Sequence, residues 1–81
     1  MNSQEIKKYI NGVISKKIKN NFKSDYNIIR DQYEKWDSLI QIELIFHFEE
    51  YFEISFSENE IEKMDSSNEI TEIILKNMEN E

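Results

Sequence analysis

The segment EKWDSLIQIELIFHFEE, residues 34–50, decides how this chain is read. It sets Asp37-Ser38-Leu39 at the mouth of the most apolar stretch of the sequence. Leu44, Ile45, Phe48 and Phe52 follow at i, i+1, i+4 and i+8, which is one face of an α-helix. Leu39, Ile42 and Phe46 form a second stripe round the side, and Glu43, His47, Glu49 and Glu50 fill the rest. The pattern predicts a helix from about Ser38 to Phe52, roughly 22 Å long. A helix this apolar on two sides either sits centrally in a bundle or keeps one side for a partner. Ser38 poses the functional question: it caps this helix, or something is attached to it.

On the N-terminal side, Ile6, Ile10, Val13 (with Ile14) and Ile18 recur at helical spacing, with lysines opposite, and predict a first helix over about residues 3–19. Gly12 falls inside it, at a cost of about 1 kcal/mol relative to Ala. Residues 20–37 have no clean period, and their Asn and Ser-Asp steps mark a break. A loop this long in a small domain has to be functional or packed down. Phe22, Tyr26, Ile28, Ile29 and Trp36 are the anchors expected to pin it, with a short helical turn near residues 30–35.

On the C-terminal side, Glu53-Ile54-Ser55-Phe56 alternates and reads as extended. Two S-x-x-E patterns follow, Ser57 to Glu60 and Ser66 to Glu69, each a capping box. They predict a short helix over about 58–64, anchored by Ile61 and Met64, and a final helix over about 68–79. Ile70, Ile73, Ile74 and Met78 of that last helix are expected to face inward. The fold class is therefore all-α: a four-helix bundle of three longer helices and one short one, with a long loop between helices 1 and 2. At 81 residues the chain fits a single domain spanning 1–81.

Composition narrows the function. There is one glycine and no proline, which disfavours short all-β folds. No cysteine is present, so disulfides and thiolate metal sites are excluded and a reducing compartment fits. The first residues, MNSQEIKKYI, lack a signal-peptide core, and the apolar runs are too short to span a membrane. A cytoplasmic location is the expectation. The net charge of −7 is uneven: residues 1–30 hold seven bases and two acids, residues 31–81 three bases and fifteen acids. Such an acidic C-terminal part repels nucleic acid and favours basic protein partners. The basic first third reads as a solvated helix face, with an anion or lipid surface as the other option.

Enzymatic chemistry finds little support. With one histidine and no cysteine, only carboxylates remain as metal ligands. Glu58, Glu60, Glu62 and Asp65 lack the spacing and the glycine of a calcium loop. His47 lies nine residues after Ser38 on the same helix, on its far side, so no Ser-His pair forms. No glycine-rich phosphate loop is present. No catalytic residue and no metal site are expected.

Ser38-Leu39-Ile40-Gln41 is an S-x-x-Q capping box, and Asp37 is also a good N-cap. Equally, a serine at a helix N-terminus stands where backbone N–H groups and the dipole favour a negative group, such as a phosphodiester on its oxygen. Over roughly residues 35–78 the chain resembles an acyl carrier protein. The features lie in register: Asp37-Ser38-Leu39, then Ile42-Glu43-Leu44, then Phe48-Glu49-Glu50-Tyr51-Phe52, an extended step, a short acidic helix and a capped last helix. Trp36 before Asp37, Ile40 after Leu39 and Ser57 in place of a proline depart from housekeeping fatty-acid carriers. The W-D-S-L form is more similar to stand-alone carriers of specialised glycan, secondary-metabolite or aminoacyl-modification pathways.

The resemblance implies that Ser38 carries 4′-phosphopantetheine, placed by a phosphopantetheinyl transferase from coenzyme A, and holds an acyl or aminoacyl group as a thioester. Asp37 would orient the transferase and its metal. Leu39, Ile42 and Phe46 would form the apolar partner face, and Glu43, Glu49 and Glu50 would meet basic patches on acyl-loading and acyl-transferring enzymes. Leu44, Ile45, Phe48 and Phe52 would line an interior able to shelter the carried chain. The resemblance also implies a monomer. The alternative is an unmodified acidic helical adaptor binding a basic partner, with Ser38 only a cap. A small hydrolase using Ser38 lacks a base.

Overall fold

Four isoleucines spaced by four, Ile6, Ile10, Ile14 and Ile18, put one side of the first helix entirely into the core. In the computed structural model, which describes residues 2–79, this helix is α1, Ser3–Ile18. Asn2 caps it: the Glu5 N–H donates to Asn2 Oδ1 at 2.8 Å and the Asn2 N–H to Glu5 Oε1 at 3.1 Å. The helix ends at Ile18, one residue before the end expected from the sequence, and Lys19 caps it in the left-handed conformation, φ 56°. Val13 lies at the edge of the buried stripe and is only half-buried. Gly12 faces solvent, and a Cβ there would meet nothing within 4 Å.

The remaining helices are α2 (Ser38–Phe52), α3 (Glu58–Glu62) and α4 (Ser67–Glu79). A single 3-10 turn, Arg30–Gln32, occupies the start of the stretch where a helical turn is expected. The architecture is an all-α bundle of three longer helices and one short one, 67% helical, and no strand occurs among the described residues. The closest approaches are those of α1 with α4 and of α1 with α2, so α1 is the element packed between two others. α2 keeps one side open instead of occupying the centre.

The first S-x-x-E pattern closes the full capping box that its chemistry predicts, whereas the second forms only the serine half, without a bond from the Ser66 N–H to the Glu69 side chain among the described residues. The Glu60 N–H donates to Ser57 Oγ at 3.2 Å and the Ser57 N–H to Glu60 Oε1 at 2.9 Å. Ser66 Oγ accepts from the Glu69 N–H at 3.2 Å, opening α4 at Ser67. α3 stops at Glu62, two residues short of expectation, and Met64 beyond it is fully buried. On α4, Ile70 and Ile74 are buried and Ile73 is half-buried, whereas Met78 is exposed rather than inward. Met78 lies one turn beyond Ile74, where the core has ended.

The loop between α1 and α2 is packed down, but mainly through its backbone. Asn11, buried in α1, directs its amide nitrogen at the carbonyls of Lys23, Ser24 and Tyr26, at 3.2, 3.2 and 2.7 Å. Ser67 receives the Ile28 N–H on its hydroxyl at 2.9 Å and returns its own N–H to the Ile28 carbonyl at 2.9 Å. Ile29 pairs with Ser66 in an isolated antiparallel bridge, and the Arg30 N–H reaches the Asp65 carbonyl. Of the expected apolar anchors, Ile28 and Trp36 are buried and Phe22 is half-buried. Tyr26 and Ile29 are exposed: Tyr26 lies flat against Phe22, and Ile29 points away because its neighbour Ile28 takes the core.

Candidate functional site

The N-terminus of α2 is built from three consecutive residues with three different tasks. Trp36 is buried at 2% exposure and fixes the entry of the chain. Its indole N–H donates to Gln41 Oε1 at 2.7 Å, and its carbonyl accepts from Arg30 Nε at 3.2 Å. Asp37 is the N-cap, with extended backbone and its Oδ1 accepting from the Ile40 N–H at 3.0 Å. Ser38 is the first helical residue and is exposed.

The S-x-x-Q capping box therefore does not form. Gln41, the residue that would close it, is turned inward and 7% exposed. Its amide oxygen takes the Trp36 indole N–H, and its amide nitrogen donates to the Met64 carbonyl at 2.9 Å. With the cap supplied by Asp37, the Ser38 hydroxyl has no hydrogen-bond partner among the described residues. The N–H groups of Ser38 and Leu39 belong to the unpaired first turn, and no hydrogen bond among the described residues uses them. A phosphate ester on Ser38 Oγ would stand beside these N–H groups at the positive end of the helix dipole. The residues present thus fit a phosphodiester: the oxygen is accessible and local donors are unspent.

Below Ser38, Leu39, Ile42 and Phe46 are 64%, 50% and 66% exposed and form one continuous apolar stripe. The acids around it divide. Glu50 is exposed. Glu43 pairs with Lys17 of α1 at 3.1 Å, and Glu49 Oε2 accepts the Phe56 N–H at 2.9 Å, holding the turn after α2. Two of the three acids expected to meet partners thus already have intramolecular roles.

His47 sits on the other flank, half-buried, where its Nε2 lies 2.6 Å from the Tyr9 hydroxyl. The Tyr9 ring stacks on Tyr51 at 4.0 Å. Burial, then the neighbouring Tyr51, pushes the Tyr9 phenol above its usual range. His47 is thus a seam residue between α1 and α2.

Among the described residues no group of three or more His, Cys, Asp or Glu side chains is placed to hold a metal ion. No described helix is long and apolar enough to cross a membrane. A groove of about 840 Å³ runs past Asn2, Lys7, Lys23 and Asp25, and another of about 320 Å³ past Ile18, Tyr33 and Lys35. Neither is lined by any residue of α2.

Sequence reasoning missed Asn11 and Ser67, and gave Gln41 a capping role in place of its inward one. A signal existed for two of them. Gln41 lies one turn before Leu44 and Ile45, and Asn11 one turn before Ile14, so both are polar residues beside apolar stripes. Ser67 had none, because the adjacent Ser66 satisfies the capping pattern alone. No protein-family model, curated protein or solved structure matches this chain.

Proposed function

We propose that this protein is a non-catalytic carrier, modified on Ser38 with 4′-phosphopantetheine and of the stand-alone kind attached to a specialised pathway. One observation carries the reading. Asp37 performs the capping that would otherwise explain Ser38, so an exposed hydroxyl with no partner stands at the head of the helix. In the attachment step, Ser38 Oγ attacks the β-phosphorus of coenzyme A. The pyrophosphate P–O bond breaks, 3′,5′-ADP leaves, and the hydroxyl proton passes to a base on the transferase. When bound, the arm supplies a terminal thiol that holds an acyl or aminoacyl group as a thioester.

The chain's own residues present this group. Asp37 and the first turn of α2 fix the attachment point. Leu39, Ile42 and Phe46 offer an apolar surface to loading and transferring enzymes, with Glu50 beside it for basic residues of those partners. Contacts of this kind favour fast encounter over tight binding.

Intact mass after incubation with coenzyme A and a broad-specificity phosphopantetheinyl transferase tests the reading. Wild type is expected to gain one phosphopantetheine unit and Ser38→Ala none. No gain on folded protein with several transferases would reject it. The exposed stripe of α2 supports a second reading, an unmodified acidic adaptor for a basic partner, and that outcome would favour it.

A further inference from the structure

Asn11 and Gly12 form the only Asn-Gly pair in the chain, since Gly12 is its single glycine. This dipeptide carries a chemistry of its own. A backbone nitrogen can attack the side-chain carbonyl carbon of the asparagine before it, and glycine, with no Cβ, hinders that attack least. In the structure the pair is held closed. Both residues lie inside α1, where the Gly12 N–H is spent on the carbonyl four residues back. The Asn11 side chain is 2% exposed, and its amide nitrogen donates to the carbonyls of Lys23, Ser24 and Tyr26. Its Oδ1 is also buried and has no partner among the described residues.

That imbalance marks where the closure is weakest. A buried acceptor without a partner destabilises the contact, and glycine is the poorest helix former after proline. Both costs are relieved when α1 and the loop part around residues 11 and 12 and water reaches Oδ1. We infer that Asn11-Gly12 is a self-modification site guarded by the fold and reached by local opening of the α1–loop contact, and that its product cannot close that contact again. In the opened segment, Gly12 N bonds to Asn11 Cγ. The bond from Cγ to the amide nitrogen breaks, and ammonia leaves with the Gly12 amide proton. Water then opens the cyclic imide at either carbonyl, giving aspartate or isoaspartate. The sum is asparagine and water to a carboxylic acid and ammonia. The new carboxylate has no donor for the three carbonyls and brings a charge to a buried site. The isoaspartate also inserts a methylene into the helix backbone. This inference stands independently of the carrier reading.

The test uses the whole protein, incubated in mildly alkaline buffer with and without denaturing urea, with peptide mapping by mass to read each asparagine. In denaturing urea Asn11 is expected to react before every other asparagine. Gly12→Ala, which has room for its methyl group, is expected to slow it severalfold. In native buffer the reaction at Asn11 is expected to be slower by about tenfold or more, because only the opened fraction reacts. Its rate is expected to stay flat at urea concentrations below the unfolding transition, since local opening exposes little surface. The isolated product is expected to show faster amide exchange through residues 23–28 and unchanged exchange in α2. Another asparagine reacting first in urea, or Gly12→Ala reacting as fast as wild type, would overturn the site. Equal rates with and without urea would overturn the guarding. A native rate that climbs with urea from the start, in step with global unfolding, would overturn local opening. Unchanged exchange through residues 23–28 in the product would overturn the loss of the loop contact.

Discussion

The indole N–H of Trp36 donates to the side-chain oxygen of Gln41 at 2.7 Å, and Gln41 in turn donates to the Met64 carbonyl at 2.9 Å. This relay, buried at both side chains, takes Gln41 out of the capping box that its sequence position suggests. The Gln41 backbone N–H, which would pair with the Ser38 hydroxyl in that box, donates to the Asp37 carbonyl at 2.9 Å instead.

Gln41→Ala leaves the Trp36 N–H and the Met64 carbonyl unsatisfied in the core. A loss of about 2–6 kcal/mol follows, from about 1–3 kcal/mol for each of the two buried unpaired groups. Urea unfolding measures it. Gln32→Ala, at an exposed side chain in the 3-10 turn, is the control and stays within about 0.5 kcal/mol of wild type.

Asp37→Ala costs about 1 kcal/mol, the value of an N-cap, whereas Ser38→Ala changes stability by less than about 0.5 kcal/mol. Thermal unfolding of the two unmodified variants under one condition separates them. The reverse order would return Ser38 to the role of a cap.

Gly12→Ala stabilises the protein by about 0.5–1 kcal/mol, because a flexible residue in a helix interior is replaced by the best helix former. The position is solvent-facing and has room for the methyl group. A lower Tm in the variant would show that the backbone at Gly12 departs from regular helix.

Asn11→Ala removes the donor directed at the carbonyls of Lys23, Ser24 and Tyr26. A loss of about 1–3 kcal/mol is expected. Amide hydrogen exchange should accelerate through residues 23–28 first, since that segment is held to α1 through Asn11. Uniform acceleration over the whole chain would instead mark Asn11 as a core-packing residue.

The Glu60 carboxylate sits below its usual value of 4.5, mainly because it accepts the Ser57 backbone N–H; burial opposes this, and the Asn77 amide, the Ser57 hydroxyl and the Lys76 charge add smaller lowering effects. A group with a depressed folded value contributes stability above its unfolded value, and that contribution is lost as pH falls through the folded one. The window therefore lies below about pH 4.5. Glu60→Gln should flatten this part of the stability–pH curve, as read from thermal unfolding across an acid series. A curve parallel to wild type would mean that Glu60 titrates alike in both states.

Periodicity in the sequence was enough to locate the three longer helices, because the spacing of Ile6, Ile10, Ile14 and Ile18, or of Leu44, Ile45 and Phe48, is a local geometric consequence of burying one helix face; the short α3 was located by its capping pattern. The caps at Ser57 and Ser66 were legible for the same reason: donor and acceptor lie three residues apart in the chain. What only the tertiary structure decided concerns groups whose partners are remote in sequence. Gln41 turns inward because Met64, twenty-three residues away, presents a carbonyl there. Asn11 is buried because the loop returns its carbonyls to α1. Glu43 and Glu49, acids on the sequence, are committed to Lys17 and to the Phe56 N–H. These side chains pair with what the fold brings within hydrogen-bond distance, a choice made across helices, whereas Ser38 is relieved of capping locally, by Asp37.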